Sequence, residues 1–256
     1  MRMSEFDAIV VGTGVVGVTA ALALQQRRLK VLLLDQQSVA QGCSFVNTGA
    51  IAPGAFPLNA YYRIPDLPAT FLKWDSPADL DWRSVPRLLA WGVQYARATR
   101  SDAVWHGTDL LHELCRDALH SFELLLGSEL PPINRCGHLA VHLSPSEVDR
   151  ATHLNTIRTS LGVAAQVVSG QALLELEPAI FSLAIGRLVA RGTFLGGSAH
   201  VSDPEAFVAS LAEVFVQRGG LLRGDRVQCL ESKRCGVTVG GCPYVIRQAV
   251  GADFGW

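Results

Sequence analysis

Residues 6–35 read FDAIVVGTGVVGVTAALALQQRRLKVLLLD, and this stretch constrains the fold more than any other. Phe6–Val11 is short, apolar and β-branched, the pattern of a strand buried on both faces. Residues 15–26 carry helical spacing, with Ala20, Ala21, Leu22 and Leu24 as small or apolar faces. Val31–Leu34 is a second buried strand and ends at Asp35. The glycines of Gly12-Thr13-Gly14-Val15-Val16-Gly17 fall at the first strand-to-helix turn of this βαβ unit.

Each glycine has a physical task. Gly12 permits the tight turn, Gly14 lets the backbone approach a pyrophosphate, and Gly17 lets helix and strand pack closely. The helix N-terminus adds free N–H groups and partial positive charge. Asp35, eighteen positions after Gly17, stands where a carboxylate accepts from ribose hydroxyls and disfavours a 2′-phosphate. Adenine-dinucleotide binding is the expectation, against a merely structural glycine turn. Arg28 stands where a glycine would end the helix in a left-handed conformation, at a cost of about 1 kcal/mol.

The chain then departs from a simple NAD-binding pattern. Residues 36–70 are QQSVAQGCSFVNTGAIAPGAFPLNAYYRIPDLPAT, a Gly-, Pro-, Ser- and Asn-rich stretch that reads as a functional loop. Small residues at Gly42, Cys43, Ser44, Thr48, Gly49 and Ala50 would admit a flat, bulky ring system, which favours FAD. A solvated connection is the plain alternative.

Taken together, the glycine fingerprint, Asp35 and CSFVNTGAIAP (43–53) resemble the FAD-dependent D-amino-acid oxidase superfamily, most of all its bacterial D-amino-acid dehydrogenase branch. Gly137-x-Leu139-x-Val141 resembles the first substrate-domain strand. LLELEPAI (173–180) resembles the Glu-Pro motif, and VSDPEAFVASLAEVFVQRGG (201–220) the helix that returns the chain to the FAD domain. The resemblance spans roughly residues 5–240. It implies an α/β fold: a Rossmann-like FAD-binding domain interleaved with an α+β substrate domain, incomplete at the C-terminus. The expected boundaries are 1–75 for the first part of the FAD-binding domain, 76–199 for a partial substrate domain, and 200–256 for the return segment.

Carried over by residue, the resemblance places adenine, ribose and pyrophosphate contacts at Gly12, Thr13, Gly14, Val15, Val16, Gly17, Asp35 and Gln36. Flavin-side contacts fall at Cys43, Ser44, Thr48, Gly49 and Ala50, and the backbone of Val227 meets the adenine. The thiol of Cys43 departs from the family's usual Thr or Ala. The implied reaction removes a hydride from the α-carbon of a D-amino acid or similar small amine to FAD, giving an imine and then a 2-oxo acid and ammonia. The family's carboxylate-binding arginine lies beyond the covered region, so no catalytic residue is assigned. Residues from Cys242 to Trp256 read out of register with the family, as a frameshift or premature stop would leave them. Such a tail is expected to leave the sheet with a bare apolar edge, to weaken FAD retention and to leave little or no turnover. A non-catalytic remnant or subunit acting through a partner chain is the alternative function.

The intervening region, from about Ser84 to Leu126, has helical spacing. Leu88, Leu89, Trp91, Val93, Tyr95, Leu110, Leu111, Leu114, Leu119 and Phe122 are expected in the core. His138 and His142, an even number apart on GHLAVHL, face one side of a strand. Like Tyr61 and Tyr62, they are minor candidates for substrate contact.

Bulk properties exclude other classes. With 22 basic against 23 acidic residues the net charge is −1, so a nucleic-acid partner is not expected. The hydrophobic fraction is 49%, yet no run reaches the roughly 18 apolar residues of a membrane-spanning helix. The N-terminal residues do not read as a signal peptide. Cys43, Cys115, Cys136, Cys229, Cys235 and Cys242 lack ligand spacing, so they read as reduced thiols and no metal site is expected. The expected location is the cytoplasm. Peripheral attachment to the inner membrane and a quinone electron acceptor remain open alternatives.

Overall fold

The computed structural model describes residues 5–56, 83, 85–142, 144–182, 191–231, 236–239 and 242–251. Tyr61 and Tyr62 lie outside the described residues. The chain opens with β1 (Glu5–Val11), α1 (Val15–Gln26), β2 (Val31–Leu34) and β3 (Ala50–Ile51). Helices α2 (Val85–Ala98), α3 (Ser101–Cys115) and α4 (Ala118–Leu126) follow, then β4 (His138–His142), α5 (Pro145–Ser160) and β5 (Gln166–Ser169). Next come α6 (Gln171–Leu176), α7 (Ala179–Ser182), β6 (Arg191–Leu195), β7 (Ala199–His200) and α8 (Pro204–Gln217). Strands β8 (Leu221–Arg223), β9 (Val227–Glu231), β10 (Gly236–Val239) and β11 (Cys242–Gly251) complete it.

Two compact units result. The first combines residues 1–51, 119–135 and 199–256. Its six-stranded sheet has the order β8-β2-β1-β11-β10-β9. Strand β1 runs parallel to β2 and to β11, and β2 parallel to β8. All four residues of β2 are buried, as a strand covered on both faces must be. Val10, Val18, Ala21, Leu22 and Leu33 pack with Phe207, Leu211 and Phe215 of α8 in one apolar cluster. Segment 119–135, assigned by sequence to the substrate domain, packs within this unit. Phe122 meets Phe207 edge-on at 5.6 Å, and Gln26 Nε2 donates to the carbonyls of Leu124 and Leu125.

The terminal segment corrects one expectation. Strands β10 and β11 pair antiparallel, with Val239 opposite Cys242. The atypical residues from Cys242 onward form β11, with Phe6 opposite Ile246 and Ile9 opposite Ala249. Strand β1 therefore has a neighbour on each side, and among the described residues the sheet's edges are β8 and β9. A ladder is built from backbone groups, so an unfamiliar side-chain pattern can still pair.

The second unit combines residues 52–118 and 136–198. Its sheet has the order β4-β6-β5, with both pairs antiparallel. Leu139, Val141 and Phe194 pack with Val168, Leu173 and Ile180 in one apolar cluster, while Phe56, Leu154 and Ile157 form another. Helix α5 begins with Ser144 accepting from the Glu147 amide at 3.3 Å and Pro145 in its first turn.

The helices expected between Ser84 and Leu126 form, but much of their apolar surface stays out of the core. Leu88, Leu89, Trp91, Val93, Leu110 and Leu114 are exposed, Leu114 at 80%. Helical spacing marks a face that burial would favour; it does not supply the element that would bury it.

Candidate functional site

The end of β1, the start of α1 and the end of β2 converge on the glycine loop. Gly12 turns with φ of 107° and donates its amide to Leu34 O at 2.7 Å, which ties the loop to β2. Thr13 is buried, and its amide and hydroxyl both donate to Asp35 Oδ2, at 2.7 and 2.8 Å. The other oxygen, Oδ1, accepts from the Gln37 amide at 2.9 Å. Asp35 therefore folds the loop as well as ending β2.

Helix α1 starts with Gly14 as its extended N-cap, and no side chain caps it in the usual way. Instead Ser44 reaches in from the later loop, and its Oγ accepts from the Val15 amide at 3.1 Å. A Cβ on Gly14 would lie 3.2 Å from that same oxygen, so the close approach favours glycine. The first regular helical bond runs from Val18 N to Gly14 O, leaving the amides of Val16 and Gly17 without a partner among the described residues. No acidic residue lies in the first turn. Unpaired donors at a positive helix end, beside a loop without bulky side chains, suit a pyrophosphate. On this observation the residues present fit the phosphate bridge of a dinucleotide.

The structure thus brings Gly12, Thr13, Gly14, Val15, Val16, Gly17, Asp35 and Ser44 together. Val16 and Gln36 are exposed, and Cys43 is an exposed free thiol. Val227 packs its side chain against the cluster of Phe6, Ile9, Leu32 and Leu34. Thr48, Gly49 and Ala50 lie further along, where β3 pairs antiparallel with β7. Gly49 has φ of +70°, receives the Val201 amide at 2.8 Å and donates its own amide to Asn47 Oδ1 at 3.0 Å. Sequence reasoning missed the roles of Ser44 as helix cap, Thr13 as partner of Asp35, and Asn47 as brace of Gly49. Short hydroxyl and amide side chains beside glycine are the signal for all three.

Within the second unit, His138 is exposed, while the half-buried His142 joins a polar layer with the buried Thr193, Asn155 and Arg158. Its Nε2 lies 3.1 Å from Thr193 Oγ1, which also accepts from Asn155 Nδ2 at 2.9 Å. Arg158 donates from Nη1 to Asn155 Oδ1 at 2.9 Å and from Nε to Gly54 O at 3.0 Å, and its guanidinium covers the Phe56 ring at 4.7 Å. Burial holds the His142 pKa below its ordinary 6.5; Glu147 opposes that shift and Arg158 adds to it.

Comparison with known proteins settles the family. The family model described as FAD dependent oxidoreductase matches residues 7–252. The chain belongs to that family. It is 27% identical over 223 residues to a D-amino acid dehydrogenase of Methylobacterium sp. (strain 4-46), covering 82% of this chain and 50% of the relative. The chain therefore spans about half the length of that curated relative. Among solved structures, glycine oxidase from Bacillus cereus ATCC 14579 superposes with a TM-score of 0.67 at 17% identity, over 98% of this chain and 56% of that one. L-amino acid deaminase from Proteus vulgaris gives a TM-score of 0.64 at 15% identity, over 98% of this chain and 55% of that one. These likenesses show the fold of the family, an α/β FAD-binding architecture, and FAD is the family's cofactor. No helix among the described residues is long and apolar enough to cross a membrane.

Proposed function

We propose that this chain provides the FAD-binding half of an oxidoreductase acting on small amino acids, with D-amino acids as the first candidates. The carrying observation is the partnerless pair of amides at Val16 and Gly17, set in a glycine loop held by Asp35. Val16 and Gly17 would receive the pyrophosphate, with the Asp35 carboxylate toward the adenosine ribose and Cys43, Ser44, Thr48, Gly49 and Ala50 toward the flavin ring. The 27% identical relative, named a D-amino acid dehydrogenase, supports the substrate class.

When bound, the flavin supplies the two-electron acceptor for the hydride of the substrate α-carbon. The imine product hydrolyses in water to a 2-oxo acid and ammonia. The work of this chain is to bind and orient: helix-end amides hold the phosphates, and short side chains allow close approach. No residue described here is given an acid–base role.

Titrating the purified chain with FAD, followed by flavin fluorescence, tests the reading. Saturable one-to-one binding is expected, reversible on desalting. Dye reduction that depends on D-amino acids and not on their L-isomers would establish the substrate class. Binding without turnover on either isomer would favour the alternative of a nucleotide-binding subunit acting with a partner chain. A chain that binds no FAD overturns both.

A further inference from the structure

Thr13 occupies the first variable position of the glycine fingerprint, and nothing about a pyrophosphate turn requires a hydroxyl there. It is nevertheless 1% exposed, and its hydroxyl is spent on one atom, Asp35 Oδ2, at 2.8 Å. The amide of the same residue donates to the same oxygen at 2.7 Å. A carboxylate oxygen has two lone pairs, so Oδ2 is filled. Oδ1 carries the Gln37 amide at 2.9 Å and keeps one acceptor site. The terminal torsion of an aspartate is broad and two-fold, so without these donors the carboxylate plane would be loosely set.

We propose that Thr13 is a positioning residue for the nucleotide ribose: it locks the Asp35 carboxylate so that Oδ1 alone is presented to the ribose hydroxyls. The inference rests on the FAD reading above. Thr13 touches no part of the nucleotide in this scheme and works only through Asp35. Valine matches its shape but cannot donate, so Thr13→Val leaves Oδ2 with one donor and lets the carboxylate turn. Serine keeps the donor. Cysteine keeps a similar volume with a much weaker donor.

The test is calorimetric titration of the full chain with ADP and with 2′,3′-dideoxy-ADP, for the wild type and for Thr13→Val, Thr13→Ser and Thr13→Cys. Loss of one charge-assisted orienting bond should weaken ADP binding about tenfold in Thr13→Val. Dideoxy-ADP should bind the wild type and Thr13→Val equally, because the lost orientation matters only to hydroxyls. Thr13→Ser should restore ADP binding, and Thr13→Cys should behave as Thr13→Val, which keeps the test alive if the valine variant does not fold. Equal weakening of both nucleotides would mark Thr13 as merely structural and overturn the proposal. So would unchanged ADP binding in both Thr13→Val and Thr13→Cys. A wild type that binds neither nucleotide overturns the FAD reading and this inference with it. Normal wild-type binding with no ribose dependence in the variants overturns the inference alone.

Discussion

Two polar clusters among the described residues are built in opposite ways. Around the glycine loop, Thr13, Asp35 and Gln37 come from a span of 25 residues, and beneath them all of β2 and Ala8, Ile9 and Val10 of β1 are buried. In the second unit, Gly54, His142, Asn155, Arg158 and Thr193 are gathered from four separate segments, and helices α2 and α3 of that unit leave Trp91 and Leu114 exposed. The first cluster is a local motif that writes itself into consecutive sequence. The second exists only after long-range packing, so its stability depends on several contacts at once.

The sharpest way to break the first region is Gly49→Ala. A Cβ there would sit 2.1 Å from the Val201 carbonyl oxygen, at a φ of +70° that alanine disfavours. Backbone strain and overpacking together should cost about 3 kcal/mol. The melting temperature, followed by circular dichroism, should fall by roughly 10 °C. A loss of under about 2 °C would mean that the pairing of β3 with β7 yields easily and that this part of the flavin-side segment is not rigidly held.

That difference also explains what could be read beforehand. The βαβ unit, the place of Asp35 at the end of β2 and the left-handed Arg28 were legible because each rests on contiguous periodicity or one special backbone position, and the return helix α8 because its segment resembles the family's. The burial of α2 and α3 was not, because amphipathic spacing is blind to whether a partner surface exists. Nor was the pairing of β11 with β1, which depends on backbone ladders that the side chains of Cys242–Gly251 do not announce. His142 on its strand was visible, but its neighbours Asn155 and Thr193 lie 13 and 51 positions away, beyond any local pattern.

Arg158→Met probes the second region. It removes the donor to Gly54 O and to Asn155 Oδ1, leaving buried acceptors unsatisfied, so a loss of about 2 kcal/mol is expected. A charge effect separates this from simple repacking. The Arg158 cation contributes to the lowered pKa of His142, so its removal should move the His142 titration upward, read from the imidazole proton resonances. The stability consequence follows from the direction. A histidine whose folded pKa is depressed binds fewer protons folded than unfolded, so its contribution is complete above 6.5 and is lost as pH falls through the folded value. In Arg158→Met the two values lie closer together, and the acid-side decline in melting temperature should be shallower. An unchanged His142 titration would show that Arg158 anchors Gly54 without acting on the rest of the layer.

The smallest expected effect comes with an internal control. Helix α1 ends with Arg28 at φ of 62°, its amide on Gln25 O at 2.8 Å and the Leu29 amide on Leu24 O at 3.3 Å. Helix α8 ends on the same pattern, with Gly219 at φ of 86°, its amide on Val216 O at 2.9 Å and the Gly220 amide on Phe215 O at 3.0 Å. Both helices stop by the same left-handed closure, but only α8 has the residue that adopts it without steric cost. Arg28→Gly should therefore stabilise the chain by about 0.5 kcal/mol, the relief of strain exceeding the added flexibility of the unfolded chain. Gly219→Arg should destabilise it by about 1 kcal/mol, since it brings in that strain without the relief. Stabilisation by Arg28→Gly with destabilisation by Gly219→Arg, measured by denaturant unfolding, would establish that backbone conformation decides both helix ends; the reverse pair of signs would point to the arginine side chain instead.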